Sequence, residues 1–159
     1  MIQKTLKVGD VFEIPLSDER KAYGQYVRAD KDNGPVIRIF DLITKDDLKI
    51  DEIVNAPNMF PPIVVGLKAA IKSDLWTIIG NSPVTDFVPP NFISAMYNSI
   101  NDKVGMWYLW DGIESKSIPI GYKLPEEYRG LEQLVVWAAE DVTKRIETGV
   151  NPIDRWLDL

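Results

Sequence analysis

The sequence predicts an α+β domain, mostly antiparallel β-sheet in a twisted sheet or partly open barrel, with a C-terminal helix. Three observations carry this. Eleven prolines and ten glycines in 159 residues cut the chain into short elements, which favours strands and loops over a helical bundle. The segments between them are β-branched and aromatic, several with the period-two alternation of a strand. Helix composition gathers late, over residues 138–147, where Val142 and Ile146 stand four apart and Gly149 follows at the place of a C′ glycine.

The elements follow in order. In Lys7-Val8-Gly9-Asp10-Val11-Phe12-Glu13-Ile14-Pro15-Leu16, Gly9-Asp10 is a turn pair. Residues 11–16 then form a strand with Phe12, Ile14 and Leu16 on one face. Residues 17–21 are a polar hairpin loop, and 22–29 return as a second strand in which Gly24 marks a bulge or a close backbone crossing. Asn33-Gly34-Pro35 makes a turn, and 36–41 form a third strand, so an antiparallel meander is expected. Residues 46–54 read as a short helix or irregular segment with Thr44 as its cap. Residues 55–62, with three prolines, form a loop.

Residues 63–67 read as a buried strand, 68–74 as a connection, 75–79 as a strand and 80–83 as a turn. Phe92, Ala95, Met96 and Ser99 have the spacing of a short helix. Residues 106–110 are a strand, turning at Asp111-Gly112 into a return strand that Pro119 confines to an edge or an end. A strand over 134–137 precedes the helix, and the tail 151–159 docks through Ile153, Trp156 and Leu157. No repeat or linker interrupts the chain, so one domain over 1–159 is expected.

Composition narrows the chemistry. The chain has neither histidine nor cysteine, which removes Ser-His-Asp and Cys-His nucleophilic sites and cysteine/histidine zinc sites. Carboxylates, lysine, tyrosine, arginine or a hard cation on oxygen ligands remain. No apolar run approaches the ~20 residues that span a bilayer. The first seven residues lack secretory signal features, so a cytoplasmic location is expected. Acids outnumber bases 24 to 18, for a net charge of −6. That disfavours direct nucleic-acid binding and steers basic partners.

Asp46, Asp47, Asp51 and Glu52 are the densest acidic cluster. A solvated helix start explains them without a ligand, and no calcium-loop pattern is present. Their functional reading is a patch for a basic protein. Trp76, Trp107 and Trp137 read as core. In the strand 106–110, Trp107 and Leu109 share one face and Tyr108 and Trp110 the other, which implies a central strand or a face covered by a partner. The expected partner-facing residues are Asp46, Asp47, Asp51 and Glu52, with Trp110, Asp111 and Glu114 in the later hairpin. No catalytic, metal or cofactor residue is expected.

The opening hairpin, 7–16 followed by Ala22-Tyr23-Gly24-Gln25, resembles the start of the immunity protein 26 family of bacterial polymorphic toxin systems. That family opens with a Gly-Asp-aliphatic-Phe-x-Ile-Pro-Leu strand and a Tyr-Gly-(Arg/Gln) return strand. Residues 36–41, Trp76-Thr77-Ile78-Ile79-Gly80-Asn81 and 131–146 are similar to its later segments. The resemblance implies a protein that neutralises a cognate toxin by occluding its active site or substrate groove, with no chemistry of its own. Acidity would suit a basic, nuclease-type toxin. Two other classes stand beside it: a hydrolase pairing two carboxylates across a cleft, and a small barrel module, which for nucleic acid would need a basic groove.

Overall fold

The computed structural model describes residues 5–157, and its first element is the hairpin of β1 (Asp10–Pro15) and β2 (Lys21–Asp30). The strands pair antiparallel, with Phe12 opposite Gly24 and Ile14 opposite Ala22. β3 (Gly34–Ile39) and β4 (Ile63–Val65) continue the meander, β5 (Thr77–Asn81) lies on the other side of β1, and β10 (Val136–Trp137) pairs parallel with β4. The strand order is β10-β4-β3-β2-β1-β5. The expected α+β, mostly antiparallel fold is the one observed, and neither sheet closes into a barrel.

Alternation along β1 buries both faces of this sheet. Phe12 and Ile14 join Ile37, Ile39, Trp76, Val142 and Ile146 in the larger cluster. Val11 joins Tyr23, Phe40 and Ile53 in a second one. Gly24 is a close crossing: a Cβ there would stand 2.5 Å from the Phe12 ring and 3.0 Å from the Arg38 carbonyl oxygen. The Phe12 ring cannot withdraw, because it is fully buried and stacked on Trp76. Gly24→Ala is therefore expected to cost about 1–3 kcal/mol through overpacking. Urea unfolding measures it, and an unchanged midpoint would refute the crossing argument.

The chain forms two compact units. One runs through Val88 and takes back Val135–Gly149; the other holds Pro89–Leu134 and the segment from Val150 onward. In the first, α1 (Ile50–Val54), α2 (Leu67–Lys72) and α3 (Ala139–Thr148) accompany the six-stranded sheet. α3 stops where expected, at Gly149 with φ of 73°, whose N–H donates to the Arg145 carbonyl. In the second, β6 (Phe92–Asn98), β7 (Lys103–Trp110), β8 (Ser117–Gly121) and β9 (Glu132–Gln133) form a sheet of order β8-β7-β6-β9. Pro119 lies on the edge strand β8, as its missing N–H requires. Ile153 docks into the cluster of Ile93, Trp107 and Leu124, with Trp156 and Leu157 beside it. Asp158 and Leu159, the end of the expected tail, lie outside the described residues, as do residues 1–4.

Four expectations are corrected. The segment expected as a short helix through Phe92, Ala95, Met96 and Ser99 is instead strand β6, since a helix would leave one edge of β7 without backbone partners. Its helical spacing was misleading: Met96 is 79% exposed while Ile93 is fully buried. The connection over 68–74 holds most of α2, whose Leu67, Ala70 and Ile71 bury one helical face. Gly80 and Asn81, read as a turn, continue β5 against β1. The strand expected over 134–137 shortens to β10, and β9 at Glu132–Gln133, which was not expected, precedes it in the other sheet.

Candidate functional site

The acidic cluster is built on α1. Ile53 is fully buried, and Leu48, Ile50 and Val54 pack into the same cluster. This leaves Asp51 and Glu52 exposed. Thr44 does not cap this helix. Lys49 holds the N-cap position, and Thr44 Oγ1 instead accepts the Asp46 N–H at 3.0 Å, making a local turn. The Tyr23 hydroxyl donates to the Asp46 carbonyl at 3.3 Å, and burial raises the Tyr23 pKa.

Asp47 pairs with the Lys21 ammonium, which also stands 3.7 Å from Glu13. The hydrogen bond from Lys21 holds the Asp47 carboxyl below its ordinary pKa, and the same bond raises that of Lys21. The Asp47 side chain is 95% exposed, so solvent screens the pair and it adds little stability. Asp46, Asp51 and Glu52 have no cationic partner among the described residues. Three uncompensated carboxylates therefore share this exposed surface of the first unit.

Trp110, Asp111 and Glu114 belong to the second unit, so the structure does not join them to the first set in one unit. Trp110 is half-buried and its indole N–H donates to Ser94 Oγ at 2.6 Å. Asp111 Oδ1 accepts the N–H groups of Ile113 at 2.7 Å and Glu114 at 3.4 Å, which shapes the turn between β7 and β8. Glu114 pairs with Lys116 at 2.7 Å. Two of these three side chains thus have local work that needs no partner: Asp111 shapes the turn and Glu114 is charge-compensated.

Sequence reasoning missed the polar centre of the first unit. Asp10 is buried, accepting from the Lys7 N–H at 3.0 Å and from Asn81 Nδ2 at 2.9 Å. Gln25, also buried, donates to the Ser82 carbonyl at 2.9 Å and accepts from Arg38 Nε and Nη2 at 3.0 and 2.7 Å. The signal was available, because Gln25 and Arg38 are the directly opposed polar pair of β2 and β3, Arg38 between Ile37 and Ile39 and Gln25 between Gly24 and Tyr26. Beside them opens a cleft of about 490 Å³, lined by Arg38, Asn55, Asn58, Ser82, Thr85 and Asp86 among others. No group of three or more acidic side chains converges to hold a metal among the described residues. Nor is any helix among them long and apolar enough to cross a membrane.

Against known proteins, the sequence model of the immunity protein 26 family matches residues 7–103, more than half of the chain. No curated protein and no solved structure matches it.

Proposed function

Because the chain belongs to the immunity protein 26 family, we propose that it is a bacterial immunity protein that binds and neutralises a cognate polymorphic toxin in the cytoplasm. The family match carries this reading. Family membership also implies a non-enzymatic role, so neutralisation proceeds by occlusion of the toxin's active site or substrate groove. The proposed toxin is a basic, nuclease-type protein. The net charge of −6 and the uncompensated Asp46, Asp51 and Glu52 support it, since a negative surface attracts a positive partner and speeds encounter. Asp47, Trp110, Asp111 and Glu114 complete the proposed partner-facing set.

The decisive experiment is co-expression with the product of the neighbouring gene. The protein is expected to restore growth to cells poisoned by that product. A non-toxic neighbour, or poisoned cells that are not rescued, would remove the immunity reading. Asp46→Lys, Asp51→Lys and Glu52→Lys together are expected to slow toxin association on the order of tenfold at low salt. Fast mixing at two ionic strengths measures this, with circular dichroism confirming the fold. An unchanged rate would move the interface elsewhere while leaving the immunity reading intact.

A further inference from the structure

Arg38 in the first unit is a cation with an incomplete set of partners. A guanidinium has five N–H donors and stays protonated in proteins. Two of Arg38's go to the single oxygen Gln25 Oε1, along the Nε–Nη2 edge. The guanidinium carbon stands 4.6 Å from the ring centre of Phe40, which is fully buried. The other three N–H groups have no hydrogen-bond or ion-pair partner among the described residues. Burial lowers the pKa of Arg38, and no carboxylate offsets it. Arg38 is half-buried, so its cation loses part of its hydration without a counter-charge, and an anion reaching it recovers part of that cost.

Arg38 lines the cleft of about 490 Å³, where Asn55, Asn58, Ser82 and Thr85 supply neutral hydrogen-bonding groups. We propose that this cleft binds a carboxylate, received by the Nη1–Nη2 edge of Arg38. That edge carries two parallel N–H groups, the spacing that matches the two oxygens of a planar carboxylate. Phosphate fits less well. A dianion calls for a second cation, none lines the cleft, and Asp86 on its wall would repel the added charge. The carboxylate comes either from a free small molecule or from an acidic side chain of a peptide.

The test follows Arg38 Nε–H and the backbone amides of Asn55, Asn58, Ser82 and Val84–Val88 by ¹H–¹⁵N NMR at constant ionic strength. Butyrate, an acetylated and amidated Gly-Glu-Gly peptide, and inorganic phosphate are titrated separately. Saturable shifts at these groups with butyrate alone, or more tightly with butyrate than with the peptide, assign a free carboxylate, and with the peptide as tightly or more tightly assign an acidic side chain. Phosphate binding as tightly as either, or no saturable shift with butyrate or the peptide, overturns the proposal. Arg38→Gln is expected to weaken binding at least tenfold, and undiminished binding overturns it. Thr85→Trp, an exposed position on the cleft wall, blocks the space without touching the Gln25–Arg38 bonds. If Arg38→Gln fails to fold, this second variant decides by the same criterion. None of these outcomes depends on a toxin, so failure here leaves the immunity reading as it was.

Discussion

Trp76→Ala is expected to lower the unfolding free energy by about 3–5 kcal/mol, the range for removing a large buried aromatic side chain. Trp76 is 2% exposed, and its ring stacks on Phe12 with centroids 5.1 Å apart and planes 3° from parallel. It belongs to the cluster that also holds Ile14, Ile37, Ile39, Val142 and Ile146. The rings therefore link the opening hairpin to the helix that closes the unit. Alanine removes the transfer free energy of the indole and leaves a cavity that the sheet cannot collapse to fill. Phe12 also loses its stacking partner. Guanidinium unfolding, followed by circular dichroism, measures the change, and a loss below about 1 kcal/mol would show that the stack is not a core contact. Trp76→Phe keeps a ring in place and should lose much less.

Much of the architecture was legible because local signals and tertiary demands agreed. The β1–β2 hairpin has period-two apolar faces and short polar turns, and it forms with the expected register of Phe12, Ile14 and Leu16 toward one core. Pro119 and Gly149 each announce a backbone constraint that no environment relaxes: a missing donor, and a left-handed C′ residue. The misreadings fall where pairing outweighed pattern. Residues 92–99 carry a passable helical spacing, but β7 had hydrogen-bonding groups on both edges to satisfy, and β6 supplies one of the two edges. α2 has only six residues, too few to be stable alone, and burial of Leu67, Ala70 and Ile71 makes it a helix.

The candidate site divides along similar lines. Clustered acids such as Asp46, Asp51 and Glu52 stand out in a sequence because exposed charge needs only solvent. Which of them is compensated does not stand out, since Lys21 reaches Asp47 across 26 positions. Gly9-Asp10 and Tyr23-Gly24-Gln25 were visible as motifs, but their purpose was not. Asp10 joins the start of β1 to Asn81 on β5, Gly24 admits the Phe12 ring, and Gln25 holds Arg38. The motif residues serve the backbone crossings and one half-buried charge. Toxin-facing chemistry need not coincide with them.

Gln25→Leu is the second large loss, about 3 kcal/mol, and it comes through the partner left behind. Gln25 is 1% exposed, so leucine of similar volume finds space, and the apolar exchange alone would be mild. Arg38, however, loses the oxygen that takes its Nε and Nη2 donors. It cannot discharge itself by giving up a proton. The Ser82 carbonyl loses the Gln25 amide as well, while the Gly9 carbonyl keeps the Ser82 N–H at 3.0 Å. Arg38→Met alone strands only a neutral amide oxygen, costing about 1–2 kcal/mol. Replacing both partners with apolar groups removes the unsatisfied charge, so Gln25→Leu/Arg38→Met should be more stable than Gln25→Leu alone by at least about 1 kcal/mol. Chemical denaturation of the four proteins forms the cycle. If the double variant loses the sum of the two single losses, Gln25 and Arg38 act independently and the stranded-charge account is wrong.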